Sequence, residues 1–320
     1  MSYSPELLAK VGHYYYFEQL TMAEIGMRLG FSRHKVGRLI KESVDTGIVK
    51  IEIQAVLVKG VHLAQQLEQK LNLKTSVVVD VSKEPDTDAI KNAVCIAGAN
   101  FVAERISDGD TVGIGWGSTT HGLVEKFSPQ ETKNVTVVQV TGGNKHLSSI
   151  FDCQDVTRSL AQKLGVDPVL LHAPAIVDSK DVRDVFVKQS AIASTFAHFD
   201  DLNLTIVGIG SLVPSRSSTL LTSGYLTEPT IDSMTKTGAV GDVFSYFIDA
   251  DGGIIDTELH ERIISIKIEQ LRNVNSSIGI ASGKTKAKAV LAAVLGGFVN
   301  ILIVDSMLAE EILHEAELRG

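Results

Sequence analysis

The chain has 320 residues, 44% of them apolar, two cysteines (Cys95 and Cys153) and a formal net charge of −8. That length suits two or three domains of ~100–200 residues each, and the two cysteines argue against a disulfide framework. No run approaches the ~18–20 uncharged apolar residues of a membrane helix, and the start, MSYSPELLAK, lacks a basic-then-apolar signal pattern, so the expected compartment is the cytoplasm.

Residues 1–53 read as a compact helical unit. Pro5 suits a helix start, and Leu7, Leu8, Val11, Tyr14 and Tyr15 recur at helical spacing. A second helix, about 21–29, opens on Thr21 with Glu24 three residues on, which is a capping box. Gly30 can take the left-handed conformation that ends it. Ser32 caps a third helix to about residue 45, with Gly47 as the stop, and the alternation IVKIEI at 48–53 predicts a short strand.

The segment TMAEIGMRLGFSRHKVGRLIK, residues 21–41, carries a helix-turn-helix pattern. Ile25, Leu29, Val36, Leu39 and Ile40 supply the packing face, Gly26 allows close approach, and Gly30 makes the turn. The DNA-contacting set is then Ser32, Arg33, His34, Lys35, Arg38 and Lys41. A recognition helix reads base edges with its N-terminal side chains, which fits Arg33, His34 and Lys35. Arg38 and Lys41 are better placed for phosphates. Residues 1–50 balance to +2 and the remainder to −10. A mildly basic head on an acidic body is expected where only the head touches DNA. A solvated basic helix would show the same charges without the cap and turn signals. Gly37 lies inside this helix, at a cost of about 1 kcal/mol relative to Ala.

Three parts follow from this reading: a DNA-binding domain over 1–55, a linking helix over 56–74, and an effector domain over 75–320. In the linking helix Leu63, Leu67 and Leu71 form an i, i+4, i+8 stripe, as core or as an oligomer contact. Beyond residue 75, strands are expected near 76–81, 111–115, 135–140, 204–208, 277–281 and 301–304. Helices lie between them, as at 89–106, 155–164 and 286–295. Runs such as VTVVQV and ILIV are those of strands buried on both faces of a parallel sheet. The alternation predicts a doubly wound α/β fold, whose ligands sit at the carboxyl ends of strands.

Candidate ligand groups cluster at such ends. In DGDTVGIGWGSTTHGL (108–123) a strand runs into Gly115 and Gly117, then Ser118, Thr119 and Thr120 at a helix start. Glycine lets backbone N–H groups approach an anion, and the helix dipole assists. Neither the P-loop nor the dinucleotide fingerprint is present, which excludes ATP and NAD as first choices. No cofactor is expected, and no Cys/His cluster has metal-ligand spacing. In ASGKTKAKAV, Lys284 and Lys286 stand at a helix N-terminus, where the dipole disfavours cations unless an anion is bound. In GAVGDVFSYFIDADG, Asp242 and Asp249 are read as lying in Gly-rich turns, where a carboxylate could bind sugar hydroxyls or cap its own turn. VGIGSL (207–212) is a further Gly-rich strand end with Arg216 just downstream, and Gln154 and Asp155 follow TGGN at a helix start.

The ordered series of the helix-turn-helix, GIGWGST, HAPAIVDS, VGIGSL, GAVGD and SGKTKAKAVLAAVLGGFVNILIVD resembles the SorC family of bacterial sugar-responsive regulators, over about residues 5–315. The resemblance implies a winged-helix-like head and an effector domain of the sugar-phosphate isomerase/deaminase type. It also implies phosphorylated-sugar effectors, and dimers or tetramers on palindromic operators. Carried over by position, Ser118, Thr119 and Lys286 hold phosphate and Asp242 meets a sugar hydroxyl, while Gly117 and Thr120 join the effector-binding set from the loop itself. Gln154 and Arg216 are looser matches. The expected function is a sequence-specific regulator of a carbohydrate operon, not an enzyme. The alternative is an isomerase or deaminase with a DNA-binding head, for which Asp242 or His172 would be the base and Lys145 a Schiff-base lysine.

Overall fold

The computed structural model describes residues 3–51, 55–83, 86–143, 152–222, 224 and 226–319. Its internal contacts divide it into two units, Met1–Ala55 and Val56–Gly320.

The first unit has three helices, α1 (Pro5–Tyr16), α2 (Met22–Leu29) and α3 (Arg33–Asp45). Each start is capped by a side chain: Ser4, Thr21 and Ser32 accept from Leu7, Glu24 and Lys35 N–H. The Thr21–Glu24 capping box is complete, and Gly30 ends α2 at φ 69°. Leu8, Val11, Ile25, Val36, Leu39 and Ile40 form the core. A Cβ at Gly26 would stand 2.6 Å from the Phe31 carbonyl oxygen, so this turn closes only on glycine. The predicted strand at 48–53 is not found over 48–51. Val49 instead donates its N–H to Ser43 and lays its side chain over Gly12. No neighbouring strand among the described residues of this unit offers a ladder; residues 52–53 lie outside the described set.

The second unit opens with α4 (Ala55–Leu71) and then alternates strands and helices. The strands are β1 (Thr75–Val79), β2 (Thr111–Ile114), β3 (Thr136–Gln139), β4 (Pro168–Val169), β5 (Leu204–Ser211), β6 (Ala239–Val243), β7 (Tyr246–Asp249), β8 (Ser276–Ala281) and β9 (Ile301–Asp305). The helices are α5 (Thr87–Ala103), α6 (Ser118–Lys126), α7 (Cys153–Lys163), α8 (Lys180–Phe186), α9 (Ser190–Ala197), α10 (Thr219–Thr222), α11 (Glu228–Lys236), α12 (Ile268–Asn273), α13 (Ala287–Leu295) and α14 (Ser306–Glu317). Seven strands form a parallel sheet in the order β1-β9-β8-β5-β2-β3-β4. Side chains alternate across it, as a strand requires. Ile301 and Ile303 join the core under α5, α6 and α7, whereas Leu302 and Val304 join the core under α13 and α14. Both faces are covered, which explains the unbroken apolar runs.

One feature departs from the sequence reading, and another falls to one of its two alternatives. The GAVGD stretch is not a loop. It forms β6, which pairs antiparallel with the far end of β5 and with β7, so Asp242 sits in a strand opposite Gly210. The leucine stripe of the linking helix takes the core alternative. Leu63 and Leu67 are buried in the sheet core, and Glu68 accepts from Ser76 N–H at 2.6 Å. A leucine already enclosed by its own unit cannot also form an oligomer seam.

Candidate functional site

Strands β2 and β5 are neighbours in the sheet, and both point their carboxyl ends at one crevice. β2 runs out at Ile114 and the chain passes through Trp116 and Gly117 into α6. Gly117 has φ 133°, and no side chain caps the helix. The first-turn N–H groups of α6 are therefore without a side-chain cap where they face the crevice. Ser118 is exposed and Thr119 is buried, and both line the space.

β5 contributes Gly208, Ile209 and Gly210. Backbone approaches closely here. A Cβ on Gly208 would stand 3.2 Å from the Trp116 carbonyl, and one on Gly210 would overlap the Asp242 carboxylate at 2.0 Å. Asp242 and Phe244 enter from the β6–β7 hairpin, and Lys286 from the turn before α13. The Lys286 ammonium donates to the Ile209 carbonyl at 3.1 Å. The free volume of the crevice is about 40 Å³, well below the ~300–1,000 Å³ of small-molecule pockets, so a sugar-sized ligand would have to open it.

Its two charged side chains are desolvated. Asp242 is 5% exposed, and its Oδ1 has no hydrogen-bond partner. Burial pushes its carboxyl up to about 6, against the opposing pull of a Ser218 hydrogen bond and the Lys286 charge. Burial likewise lowers Lys286, while Asp242 raises it. Both ions are desolvated, and a ligand offering hydroxyls and negative charge would replace lost water.

Of the effector residues expected from sequence, Gly117, Ser118, Thr119, Asp242 and Lys286 meet here. Three do not line the crevice. Thr120 is fully buried and its hydroxyl donates to the Gly117 carbonyl at 2.8 Å, so it braces the loop. Arg216 is held by Glu228 and by Asp232, the latter at 2.5 Å, which directs its charge to α11. Gln154 lies half-buried in the first turn of α7. Lys284 is exposed beside Lys288 and Glu315, apart from the crevice. Asp249 caps its own turn, accepting from Asp251 and Gly253 N–H. His172 is exposed, and Lys145 lies outside the described residues. Sequence reasoning missed Ser217, Thr219 and Phe244 as lining residues. Phe244 and Ser245 form the β6–β7 turn at φ 48° and 74°, a conformation usually signalled by Asn-Gly, so nothing in the residue types announced it.

In the first unit, Arg33, His34, Arg38 and Lys41 are exposed along α3. Ser32 is engaged as the cap. Lys35 rests its ammonium 3.8 Å from the Phe31 ring centroid.

Comparison with known proteins decides the family. The family model Sugar-bind, "Putative sugar-binding domain", matches residues 57–314. The sorbitol operon regulator of Klebsiella pneumoniae is 30% identical over 309 residues, covering 96% of this chain and 97% of that protein. The chain belongs to the SorC family of sugar-binding transcriptional regulators. A second relative, the deoxyribonucleoside regulator of Bacillus subtilis (strain 168), is 28% identical over 97% of this chain and 98% of its own. The crystal structure of the full-length Klebsiella SorC protein aligns with TM-score 0.74 at 30% identity, over 97% of this chain and 99% of that one. This SorC-family chain is an effector-controlled transcriptional regulator. Among the described residues, no helix is long and apolar enough to cross a membrane.

Proposed function

We propose that the crevice binds a phosphorylated sugar, and that its occupancy controls how the first unit holds DNA. The observation that carries this reading is the convergence of three groups on one space: the uncapped start of α6, the Lys286 ammonium and the buried Asp242 carboxylate. Backbone donors, the Ser118 and Thr119 hydroxyls and one cation suit a phosphate monoester. Asp242 suits sugar hydroxyls. A site at the carboxyl edge of a parallel sheet supports the effector domain of sugar-phosphate isomerase/deaminase type that the family resemblance implies. The names of the relatives, a sorbitol operon regulator and a deoxyribonucleoside regulator, point to polyol and sugar chemistry.

In the first unit, α2, the Gly30 turn and α3 act as a helix-turn-helix. Arg33 and His34 read base edges, and Arg38 and Lys41 hold phosphates. The protein works in the cytoplasm as a dimer or tetramer on a palindromic operator. The effector domain senses and does not catalyse, so aldose–ketose interconversion should stay at the uncatalysed rate.

Calorimetry with deoxyribose 5-phosphate, sorbitol 6-phosphate and their free sugars tests the effector reading. A phosphorylated ligand should bind the parent. A hydrogen bond to a charged group is worth about 1.5–3 kcal/mol, so Lys286→Ala should bind it about tenfold to a hundredfold more weakly. Operator affinity of Lys286→Ala should be unchanged. Equal affinity for a free sugar and its phosphate would sink the phosphate assignment.

A further inference from the structure

A second cavity lies against the same β6–β7 hairpin and shares no lining residue with the crevice. It encloses about 270 Å³ between α8, α9, β7 and the segment leading into α12. Arg183, Phe196, Phe199, Tyr246, Ser265 and Lys267 line it. Neither the sequence motifs nor the proposed effector chemistry uses any of these six.

Its walls divide into a flat apolar part and a donor-rich part. Phe196 and Phe199 stand with ring centroids 5.1 Å apart, tilted by 39°, and the Tyr246 ring extends the aromatic surface. Arg183 supplies the main donor. Its Nη1 donates to Asp184 at 2.7 Å, but its Nε–H is buried without a hydrogen-bond partner. A buried donor on a cation is costly to leave unmatched, and native structures rarely do so without a water, ion or ligand. Lys267 stands exposed at the rim. The Tyr246 phenol, pushed up to about 12 by burial, keeps its proton at neutral pH and can donate. The carboxylate in the lining, Asp200, accepts from Gln270 at 2.7 Å through Oδ1 and keeps its negative charge. The lining nonetheless carries two cations, Arg183 and Lys267, against the one carboxylate, beside a surface shaped for a ring.

The geometry points to a second small-molecule site in this cavity, for an organic anion that carries its carboxylate or phosphate on a flat apolar body. Arg183 binds the anionic group, Tyr246 donates to it, and the two phenylalanines hold the ring. The site does not depend on the phosphate assignment of the crevice.

Fluorine NMR titration of the full chain tests it with three probes: 4-fluorobenzoate, 4-fluorophenyl phosphate and the neutral 4-fluorobenzyl alcohol. At least one anion should give a saturable shift and bind well ahead of the alcohol; the better anion identifies the acidic group. Arg183→Gln should weaken that anion about tenfold or more, Tyr246→Phe should weaken it by a smaller factor, and Lys286→Ala should leave it unchanged. Unchanged melting of Arg183→Gln and Tyr246→Phe confirms that both variants fold. The inference fails if neither anion saturates, if the alcohol binds as well as the anions, or if both variants keep the parent Kd. It also fails if Lys286→Ala abolishes the signal, because the probe then occupies the crevice. A crevice that ignores sugar phosphates, with Arg183-dependent binding intact, would overturn the effector reading alone.

Discussion

Asp242 carries a stability cost that the proposed role in binding sugar hydroxyls would explain. Its folded pKa, about 6, lies above the ordinary carboxylate value of 3.8. The folded state therefore binds the proton more tightly, and stability falls as pH rises from about 3.8 to about 6, staying low above that. Asp242→Asn should stabilise the unliganded protein at pH 7, by at most about 3 kcal/mol from the size of the shift. The gain should vanish near pH 3.8. Urea unfolding at the two pH values reads this, and effector binding should be lost in the same variant. No gain at pH 7 would mean that Lys286 and Ser218 compensate the buried charge fully. His260 has the opposite sign. Burial lowers it to about 4, and its Nε2 accepts from Phe247 N–H at 2.9 Å. Its contribution is present above about 6.5 and is lost as pH falls towards 4. Its imidazole resonances should therefore stay unshifted until well below pH 6. Trp116 is the sole tryptophan, is 6% exposed and lines the crevice. Effector binding should change its emission, and a silent signal with binding proven by calorimetry would reduce it to a packing residue.

At the scale of elements, α3 and the β6–β7 hairpin make contrasting use of local sequence. α3 is written locally: Ser32 caps it, its apolar positions repeat at helical spacing, and Gly47 follows at φ 74°. Gly37 is its one weak position. A Cβ there would meet only the Met22 sulfur, at 3.5 Å, which is ordinary contact. Gly37→Ala should thus stabilise the first unit by up to about 1 kcal/mol. Thermal melting measures the gain. If the glycine serves close approach to a DNA backbone, operator affinity should fall in the same variant. If it does not, affinity should hold. The hairpin is written by its surroundings. Phe244 adopts φ 48° because its ring packs over Gly115, where a Cβ would lie 2.3 Å from the ring. Non-glycine residues held in this region store strain, and here the strain borders the crevice.

For the molecule as a whole, the division at Ala55 and Val56 and the packing of α4 set where a fragment can begin. A fragment of residues 56–320 retains Leu63 and Leu67, which the sheet core encloses. One starting at residue 75 loses both, and burial of a leucine is worth ~1.5–3 kcal/mol. The longer fragment should fold, melt well above the shorter one and bind effector like the full chain. Equal melting of the two would show α4 to be dispensable. The first unit alone should bind DNA poorly, because a single head makes few phosphate contacts and lacks a partner's half-site.

The sequence by itself determined the three-helix head, down to its caps and turn, because capping boxes and left-handed glycines act within a few residues. It also determined the buried parallel strands, whose doubly apolar runs have no other stable home, and the glycine-rich strand ends. Tertiary structure alone decided which of those ends converge. Thr120 and Arg216 carry donor groups as suitable as those of Thr119 and Lys286. Yet one is tied to the Gly117 carbonyl and the other to two carboxylates of α11, and residue type does not encode such pairings. The same holds for the linking-helix leucines, which sit in the core because the sheet lies beside them. It holds too for Asp242, whose strand exists only because the end of β5 offers it an antiparallel edge. Contacts between residues distant in the chain fix burial and partners, and burial and partners fix what a side chain can bind.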